Sequence, residues 1–506
     1  MKKSVLQYLE RTCAKFPNKI AFADNKREVT YTEFLANSKR IGSYLSVLEK
    51  MNKPIAILVD KSVECLELMM GVLYSGNFYT ILDTKSPNER LENILSTLKP
   101  IAILTDSKNK EKAKMMIEED KILCYNELIK KDVDDIYLKN VREKMIDTDP
   151  MYILFTSGST GTPKGTVICH KSVIAYTNWV KDTFEINEQT TFGSQTPFYF
   201  SMSITDVFTT MLTGATFYII PKMYFSFPVK LLQFLNEKKI NTIYWVPSAL
   251  SIVANLKALD EVKLQYLKKV LFAGEVMPIK QLNIWIEHLP DVMFANLYGP
   301  TETTDICTYY VVDRKFNNME SLPIGKHCDN CNVIIIKEDG TEAKKGEEGE
   351  LYVRGSFLAQ GYYNNPEQTQ KAFVQNPLNK SYPEIIYKTG DIVKENETGE
   401  LIYISRKDFQ IKHMGYRIEL GEIENGINAI DGIIICACIY DENSDKIVLF
   451  YQGEHLEEKD LLLEAQKRLP KYMCPNEIYS LRQLPYNANG KIDRKKLKAM
   501  FENKEI

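Results

Sequence analysis

The stretch from residue 155 to residue 165 reads Phe155-Thr156-Ser157-Gly158-Ser159-Thr160-Gly161-Thr162-Pro163-Lys164-Gly165. An apolar run at 151–154 precedes it and a mostly apolar run at 166–168 follows it. This pattern predicts a strand, a glycine-rich loop and then a second strand or the start of a helix. Glycine lets backbone N–H groups approach an anion, and the hydroxyls and the lysine add further donors. The stretch therefore predicts a phosphate-binding loop, with a flexible polar turn as the alternative.

This loop matches neither of two common nucleotide-binding patterns. A Walker loop closes a G-x-x-x-x-G spacing with Gly-Lys-Ser or Gly-Lys-Thr, and residues 155–165 do not. A dinucleotide fingerprint reads G-x-G-x-x-G, which is also absent from them. The rest of the chain must therefore identify the nucleotide chemistry.

Length and composition indicate a multidomain protein of ordinary soluble character. The chain has 506 residues, which is too long for one hydrophobic core. It is 44% apolar and 26% charged, and its net charge of −3 gives no strong attraction to nucleic acid or to an anionic membrane. We see no secretory signal and no run near the ~18 apolar residues of a membrane helix. We therefore expect a cytoplasmic protein without membrane insertion, and its ten scattered cysteines suit a reducing compartment.

Hydrophobic patterning predicts an α/β fold. Apolar strand-like runs alternate with amphipathic helix-like runs as far as about residue 320, which favours doubly wound, mostly parallel sheets. From about Ser321 onward short alternating strands are separated by turns such as Asp339-Gly340, a pattern typical of an antiparallel β subdomain. The last hundred or so residues predict a small α+β domain. The predicted domains are a large N-terminal core at 1–405 and a C-terminal lid at 406–506.

Five further polar or glycine-containing stretches follow the loop. They are Asn296-Leu297-Tyr298-Gly299-Pro300-Thr301-Glu302, Tyr387-Lys388-Thr389-Gly390-Asp391, Arg406-Lys407-Asp408-Phe409-Gln410-Ile411-Lys412, Gly415-Tyr416-Arg417-Ile418-Glu419 and Asn489-Gly490-Lys491-Ile492-Asp493. With the loop, they resemble in sequence and order the core motifs of the adenylate-forming, or AMP-binding, superfamily. The branch they resemble most comprises stand-alone nonribosomal-peptide-type adenylation domains and D-alanine–carrier-protein ligases. The resemblance covers nearly the whole chain, and six motifs in order are far more specific than one.

The resemblance implies an acid–thiol ligase. Such an enzyme joins a carboxylic or amino acid to ATP as an acyl-adenylate, releases pyrophosphate and passes the acyl group to a thiol. Two anions meet in the first step, so the site needs cations and donors rather than a general base. The implied cofactors are ATP and Mg²⁺, and the implied acceptor is the phosphopantetheine thiol of a separate carrier protein in natural-product or cell-envelope biosynthesis. The alternatives are an acyl- or aryl-CoA ligase and, in a different class, a catalytically inactive scaffold.

The resemblance also implies which residues bind ATP. The loop hydroxyls and Lys164 would hold the β- and γ-phosphates, and Tyr298 would stack near the adenine. Asp391 would accept from both ribose hydroxyls, and Arg406 would lie near the ribose or a phosphate. The full set implied for ATP is Thr156, Ser157, Gly158, Ser159, Thr160, Lys164, Asn296, Tyr298, Gly299, Asp391 and Arg406.

Three residues are implied in catalysis. Lys491 would bridge the carboxylate and the ribose and α-phosphate oxygens, Thr301 would contact the α-phosphate, and Glu302 would bind Mg²⁺. Each has an ordinary explanation when taken alone, because Lys491 lies in a basic tail and Glu302 could cap a helix. Their order along the chain favours the functional interpretation.

The resemblance further implies that the lid is mobile. It would rotate about a hinge at Asp408 between adenylation and thiol transfer. In the second pose the tip at 412–415 would approach the site. The core would hold the ATP and acyl-substrate sites, and the lid would supply Lys491.

The acyl pocket departs from the pattern of the amino-acid-activating relatives. They carry Asp after Phe in a Phe-Asp-x-Ser segment, where it pairs with the α-ammonium, but here the segment reads Phe200-Ser201-Met202-Ser203. A neutral hydroxyl cannot supply that charge-assisted bond, although another group could supply the charge. We therefore expect that the substrate is not a standard α-amino acid. The matching pocket positions are Phe200, Ser201, Met202, Thr205, Leu271, Ala273, Leu297, Asp305 and Ile306, with a looser match at Trp245 or Val246.

Asp305 is the unusual member of this mostly apolar set. Its carboxylate could pair with an amine displaced from the α-carbon, as in a β- or ω-amino acid. It could instead accept from the hydroxyl of an aryl or hydroxy acid, or it could face away from the pocket. The sequence leaves these three possibilities open.

Replacing Ser201 by Asp tests the pocket assignment. We expect Ser201→Asp to shift the substrate preference toward α-amino acids, because the new carboxylate can pair with an α-ammonium. The measurement is ATP–pyrophosphate exchange across a panel of acids. A ranking of acids that is the same in the variant and the wild type would refute the assignment.

Overall fold

The computed structural model of the chain describes residues 3–156, 163–317, 320–407, 410–454, 456–485 and 492–505. It confirms the predicted α/β class. The described strands are β1 Ile20–Ala23, β2 Glu28–Thr30, β3 Pro54–Leu58, β4 Phe78–Ile81, β5 Ala102–Thr105, β6 Ile122–Cys124, β7 Pro150–Thr156, β8 Lys164–Cys169, β9 Thr191–Ser194, β10 Thr216–Ile219, β11 Thr242–Trp245, β12 Lys269–Ala273, β13 Met293–Tyr298, β14 Thr308–Val311, β15 Lys326–His327, β16 Cys331–Ile336, β17 Glu348–Gly355, β18 Gly361–Tyr362, β19 Phe373–Gln375, β20 Ile385–Glu395, β21 Leu401–Arg406, β22 Gln410–His413, β23 Tyr416–Glu419, β24 Ile433–Asp441, β25 Lys446–Gly453 and β26 Glu477–Ser480.

The helices lie mainly between the parallel strands of the first half of the chain. The described α-helices are α1 Leu6–Lys15, α2 Tyr31–Tyr44, α3 Val63–Tyr74, α4 Asn88–Leu98, α5 Lys110–Lys114, α6 Tyr125–Leu128, α7 Asp135–Lys144, α8 His170–Thr183, α9 Ser203–Thr213, α10 Pro228–Glu237, α11 Pro247–Asn255, α12 Ala258–Glu261, α13 Ile279–His288, α14 Pro366–Ala372, α15 Leu420–Asn428, α16 Glu458–Arg468 and α17 Arg494–Glu502. None of the helices in these ranges is long and apolar enough to cross a membrane.

The chain divides into two compact units. The first comprises Met1–Thr84, Leu98–Leu154 and Gly165–Lys407, and the second comprises Lys85–Thr97, Phe155–Lys164 and Asp408–Ile506. The two short segments in the second unit lie outside the lid boundaries that the sequence predicts. The division into a core at 1–405 and a mobile lid at 406–506 stays a prediction.

The first unit contains three sheets. A nine-stranded sheet has the order β15-β14-β13-β12-β11-β9-β10-β1-β2, with parallel pairing from β13 through β1. A seven-stranded sheet has the order β18-β8-β7-β4-β3-β5-β6, and its inner strand β3 is buried along its whole length. The predicted antiparallel subdomain is the third sheet, in which β16, β17, β20 and β19 pair in that order and β21 adds to β20.

Three adjacent strands of the nine-stranded sheet position the candidate pocket. The parallel registers pair Tyr244 of β11 with Leu271 of β12, and Ala273 of β12 with Leu297 of β13. Because side chains alternate along a strand, these four share one face of the sheet. Tyr298, the next residue of β13, points to the opposite face.

The second unit has its own small core. The hairpin of β22 and β23 and the sheet β24-β25-β26 carry α15 and α16, with isoleucines and cysteines packed between them. Arg90 of α4 forms a buried ion pair with Glu422 of α15, which ties residues 85–97 into this unit. Breaking a buried pair by removing one partner is strongly destabilising, because the remaining charge is left without compensation.

Candidate active site

The glycine-rich loop joins two neighbouring strands. Thr156 ends β7 and Lys164 begins β8, so the segment after the loop is a strand rather than a helix start. The Thr156 hydroxyl oxygen is buried and makes no hydrogen bond within the described part of the chain. Four of the implied phosphate ligands, Ser157 to Thr160, lie outside the described residues, as do the implied catalytic Lys491 and the implied hinge Asp408.

The end of β13 lies between two polar centres, one around Asp391 and the other around Asp305. Tyr298 donates its hydroxyl hydrogen bond to Asp391 of β20, and both side chains are buried. Burial, together with the nearby Asp391 carboxylate, holds the pKa of Tyr298 well above its usual range. The Asn296 amide donates to the carbonyl oxygen of Pro323 at 2.8 Å, so it fastens the segment before β15. Tyr298 and Asp391 thus come together as the motifs imply, while Asn296 has a structural bond.

Asp391 is held by a cation as well as by Tyr298. Strands β20 and β21 place Asp391 opposite Arg406, whose guanidinium donates to Asp391 Oδ1 at 2.9 Å. Asp391 is 2% exposed, and its backbone N–H donates to the Thr389 hydroxyl at 3.0 Å. A carboxylate fixed in this way is a suitable acceptor for a pair of sugar hydroxyls, which would share or replace its present donors.

Glu302 lies in a short 3₁₀ helix, Thr301–Thr303, directly after β13. Its side chain is fully buried, and its Oε1 accepts from the Tyr362 hydroxyl at 2.6 Å. Its backbone carbonyl accepts from Ala359 N–H at 2.8 Å. The segment around β18 therefore fixes both the backbone and the carboxylate of Glu302.

Asp305 contacts Thr205, another predicted pocket residue, rather than facing away from it. The hydroxyls of Thr205, Tyr176 and Tyr244 donate to Asp305 Oδ2 at 2.7, 3.0 and 3.1 Å. Asp305 is 1% exposed. Burial raises its pKa to about 6, while hydrogen bonds from Thr205, Tyr176, Tyr244 and Ser201 lower it. The carboxylate is thus at the centre of a buried hydroxyl cluster.

The backbone around Asp305 is set by two unusual residues. A Cβ on Gly299 would lie 2.3 Å from the Asp305 carbonyl oxygen, so only glycine allows 305–307 to pass this close to β13. Thr304 has a φ of 70° and ψ of −57°, and Asp305 N–H donates to the Thr303 carbonyl at 2.9 Å. This is a γ-turn with positive φ, which is strained for a β-branched residue. Backbone strain of this kind clusters at functional sites.

Ser201 lies between the two polar centres. Its hydroxyl accepts from Thr301 Oγ1 at 3.5 Å, the outer limit for such a bond, and it is close enough to Asp305 to lower the pKa of that carboxyl. The segment holding it is a tight turn before α9, in which the Ser203 hydroxyl donates to the Phe200 carbonyl at 2.7 Å. Thr301, Ser201 and Asp305 therefore form a row of polar side chains.

The remaining predicted pocket residues supply apolar surface. Leu271, Ala273 and Leu297 share the sheet face with Tyr244, as described above. Nearly all the apolar members are buried, and Phe200 is half-buried, with its ring 5.1 Å from that of Tyr199. The buried apolar members are Met202, Leu271, Ala273, Leu297 and Ile306.

The sequence interpretation missed two tyrosines of the hydroxyl cluster. Tyr244 precedes the loosely matched Trp245, whose indole N–H instead donates to the Gly193 carbonyl at 2.8 Å. The period-two alternation of β11, aligned with Leu271 of β12, is a signal that could have found Tyr244. Tyr176 reaches Asp305 from α8, and no motif in the sequence marks it.

Comparison with known proteins identifies the family. Residues 9–363 match the AMP-binding enzyme family. The D-alanine–D-alanyl carrier protein ligase of Bacillus cereus (strain AH187) is 31% identical over 513 residues, which cover 97% of this chain and 98% of that protein. This chain belongs to the AMP-binding enzyme family. It is an adenylate-forming ligase, which makes an acyl-AMP and then a thioester.

Two solved structures show how widely the fold of this AMP-binding enzyme is shared. The Vibrio cholerae adenylation domain AlmE, in complex with glycyl-adenosine-5′-phosphate, matches with a TM-score of 0.85 at 23% identity and covers 99% of this chain and 98% of its own. The o-succinylbenzoate CoA synthetase MenE of Bacillus subtilis matches with a TM-score of 0.84 at 20% identity and covers 98% of each chain. At these identities the likeness concerns the fold.

The residues of this AMP-binding enzyme fit ATP and Mg²⁺, which adenylate-forming enzymes typically use. Mg²⁺ prefers oxygen ligands and usually binds through one or two carboxylates, substrate phosphates and water. Glu302 offers one such carboxylate, which the Tyr362 hydroxyl orients, and the hydroxyl-bearing Thr301 directly precedes it in the chain. Within the described residues no group of three or more His, Cys, Asp or Glu side chains could hold a metal, so the phosphates would complete the coordination.

Removing the Tyr362 hydroxyl tests the role of Glu302. We expect Tyr362→Phe to raise the Mg²⁺ concentration for half-maximal ATP–pyrophosphate exchange by about tenfold, because partners that orient a metal ligand typically affect metal affinity by 10–100-fold. Tyr363→Phe is the matched control, since its ring contacts Phe78. An unchanged Mg²⁺ dependence in Tyr362→Phe would rule out this role.

The buried Asp305 predicts a pH-dependent stability. Its folded-state pKa of about 6 lies above the ~3.9 of an unfolded Asp, so the ionised group destabilises the fold above pH 6 and this effect fades as the pH falls toward 4. We expect Asp305→Asn to exceed the wild type in Tm at pH 7.5, with the difference shrinking toward pH 5.

Calorimetry of the substrate-free enzyme measures this difference. Asp291→Asn is the control, because Asp291 is exposed. A Tm difference between Asp305→Asn and the wild type that stays constant from pH 7.5 to pH 5 would contradict the prediction.

Proposed function

We propose that this ligase activates a small amino acid as its acyl-adenylate and passes it to the phosphopantetheine thiol of a separate carrier protein. The observation that carries the proposal is the buried carboxylate of Asp305, in the apolar pocket beside Ser201. A carboxylate is the natural partner of an ammonium group. The relative from Bacillus cereus is named for D-alanine and a carrier protein, which supports a small amino acid and a protein acceptor.

The first step joins two anions. A carboxylate oxygen of the substrate attacks the α-phosphorus of ATP, and the bond to the β-phosphate breaks as pyrophosphate leaves. Thr301, at the end of β13, would donate to the α-phosphate, and Glu302 would hold Mg²⁺ against the phosphate oxygens. Fixed donors and a cation at this point lower the barrier by offsetting the charge that develops.

The nucleotide is proposed to bind on the other face of β13. Tyr298 would lie near the adenine and Asp391 would accept from the ribose hydroxyls, with Arg406 holding Asp391 in place. Thr156 and Lys164, at the two ends of the glycine-rich loop, would orient the β- and γ-phosphates. Lys491 would bridge the substrate carboxylate and the α-phosphate, since an ammonium on a long stem can reach both.

The second step transfers the acyl group. The carrier thiol loses its proton and attacks the acyl carbon, which forms the thioester and releases AMP. We propose that the lid, 406–506, turns about Asp408 between the two steps while the core, 1–405, keeps the substrates. A carrier protein and ATP meet in the cytoplasm, which is where we place the enzyme.

An acid panel with two acceptors tests the proposal. We expect ATP–pyrophosphate exchange with small amino acids, and discharge of the adenylate by a phosphopantetheinylated carrier protein but not by coenzyme A. Lys491→Ala should lower the exchange rate at least about 100-fold, the usual loss for a group that stabilises the transition state. The matched control is Lys495→Ala, an exposed lysine of the same basic tail.

Each part of the proposal can fail separately. Discharge by coenzyme A alone would make the chain a CoA ligase. Equal losses in Lys491→Ala and Lys495→Ala would remove Lys491 from catalysis. Absence of exchange with every acid in the wild type would favour a scaffold.

A further inference from the structure

The carboxylate of Asp305 is buried, with 1% of the residue exposed. Among the described residues no lysine or arginine forms an ion pair with it, and each of its three close donors is a neutral hydroxyl. Two other buried carboxylates of the first unit do have one: Glu67 pairs with Arg27, and Asp391 pairs with Arg406. An ionised carboxylate buried without a countercharge is costly, so a compensating cation should come from a ligand.

The hydroxyl cluster prepares one oxygen of Asp305 for such a ligand. The hydroxyls of Thr205, Tyr176 and Tyr244 all contact Oδ2. None of these three donors contacts Oδ1, so Oδ1 is the oxygen to which we assign the substrate N–H. Hydroxyl donors also favour the charged form of the group, which is the form that binds an ammonium.

The row of polar side chains from Thr301 to Asp305 indicates how far from the reacting carboxylate a substrate amine can be bound. In the proposed function the reacting carboxylate lies beside Thr301. The Ser201 oxygen is 3.5 Å from Thr301 Oγ1, so an amine on the α-carbon would lie next to the neutral Ser201. Asp305 is the next polar side chain along the row. An amine one carbon beyond the α-carbon reaches it.

The strained turn at Thr304 and the close passage at Gly299 hold Asp305 in this position. Both features constrain the backbone at Asp305, and both are independent of the hydrogen bonds that its carboxylate accepts. A carboxylate needed only for packing could have been replaced by an apolar residue at lower energetic cost. The turn and the missing countercharge are independent observations, and both single out Asp305.

We propose that Asp305 binds the ammonium of the substrate and that the substrate is a small β-amino acid. This inference rests on the proposed function, because it takes the position of the reacting carboxylate from it. Hydroxy and aryl acids fit less well, since they leave the charge of Asp305 uncompensated. Longer ω-amino acids carry the amine past Asp305 toward the buried tyrosines.

Substrate competition within one panel tests the proposal. The probes are β-alanine, glycine, D-alanine and propanoate, assayed by ATP–pyrophosphate exchange with the wild type. We expect kcat/KM for β-alanine to exceed that for each of the others by at least about tenfold, the effect of one charge-assisted bond. A preference for glycine, D-alanine or propanoate overturns the proposal.

The Asp305→Asn variant separates charge from folding. We expect kcat/KM for β-alanine to fall about 100-fold, the loss expected when one partner of a buried charge pair is removed. Propanoate, which has no amine, should rise rather than fall, because Asn removes the charge that propanoate leaves uncompensated, and its turnover shows that the variant is folded. Asp291→Asn should match the wild type on both. An equal loss on β-alanine and propanoate overturns the proposal.

Moving the carboxylate from position 305 to position 201 tests whether the substrate preference follows the charge. In the Ser201→Asp/Asp305→Asn double variant the carboxylate is one position closer to the reacting group. We expect its preference to pass from β-alanine to glycine and D-alanine. A double variant that still prefers β-alanine contradicts the proposed distance rule.

Failure of the inference and failure of the proposed function give different results. If the wild type shows no exchange with any acid, the proposed function fails. Titration calorimetry of β-alanine against wild type and Asp305→Asn then decides the inference by itself. Binding to the wild type alone supports Asp305 as the ammonium site, and absence of binding to either overturns it.

Discussion

The close passage of the chain beside Gly299 is the constraint on which the site depends. Strand β13 ends at Tyr298, and the chain returns so tightly that the carbonyl of Asp305 lies where a Cβ on Gly299 would be. Cys307 N–H donates to the Tyr298 carbonyl at 2.8 Å, which starts the antiparallel pairing with β14. The residues between must therefore form a compact turn. That turn presents Glu302 on one side and Asp305 on the other.

The two sides of β13 solve the problem of buried negative charge in different ways. On the side proposed for the nucleotide, Asp391 has a guanidinium and a phenol as partners within the protein, so its charge is compensated before any ligand binds. On the acyl side, Asp305 has only hydroxyls. Compensation that is already present gives a rigid acceptor, whereas compensation left to the ligand gives selectivity, because a ligand without the cation leaves the charge unpaired.

Much of the fold could be predicted from the sequence, whereas the nucleotide site is implied by the family resemblance and stays a prediction. Period-two and helical patterning predict the strands and helices, and contiguous motifs such as Tyr387–Asp391 can be recognised directly in the sequence. The Tyr298–Asp391 contact could be expected only through the family resemblance, since the two residues lie 93 positions apart. Residues 157–162 and 486–491 lie outside the described structure, so the roles of the loop hydroxyls and of Lys491 stay predictions.

The acyl pocket was harder to predict, and the reason is physical. The direction of Asp305 depends on Thr304 adopting a positive φ, which a β-branched residue adopts only when the surrounding structure imposes it. Tyr176 reaches the carboxylate from a helix 129 residues earlier, and no local pattern marks such a contact. Tyr244 could have been predicted, because strand alternation and the alignment with Leu271 place it on the same sheet face as the predicted pocket residues.

Strain at Thr304 and uncompensated charge at Asp305 lie in the same turn. A β-branched residue in a γ-turn costs about 1–3 kcal/mol, and burial of an unpaired carboxylate adds to this. Both penalties lie in the turn between β13 and β14, and a ligand that supplies a cation to Asp305 reduces the charge penalty. A folded protein is only about 5–15 kcal/mol more stable than its unfolded chain, so a turn this costly persists where it serves recognition. The substrate that compensates Asp305 should accordingly stabilise the first unit as it binds, which makes specificity and stability two effects of the same charge.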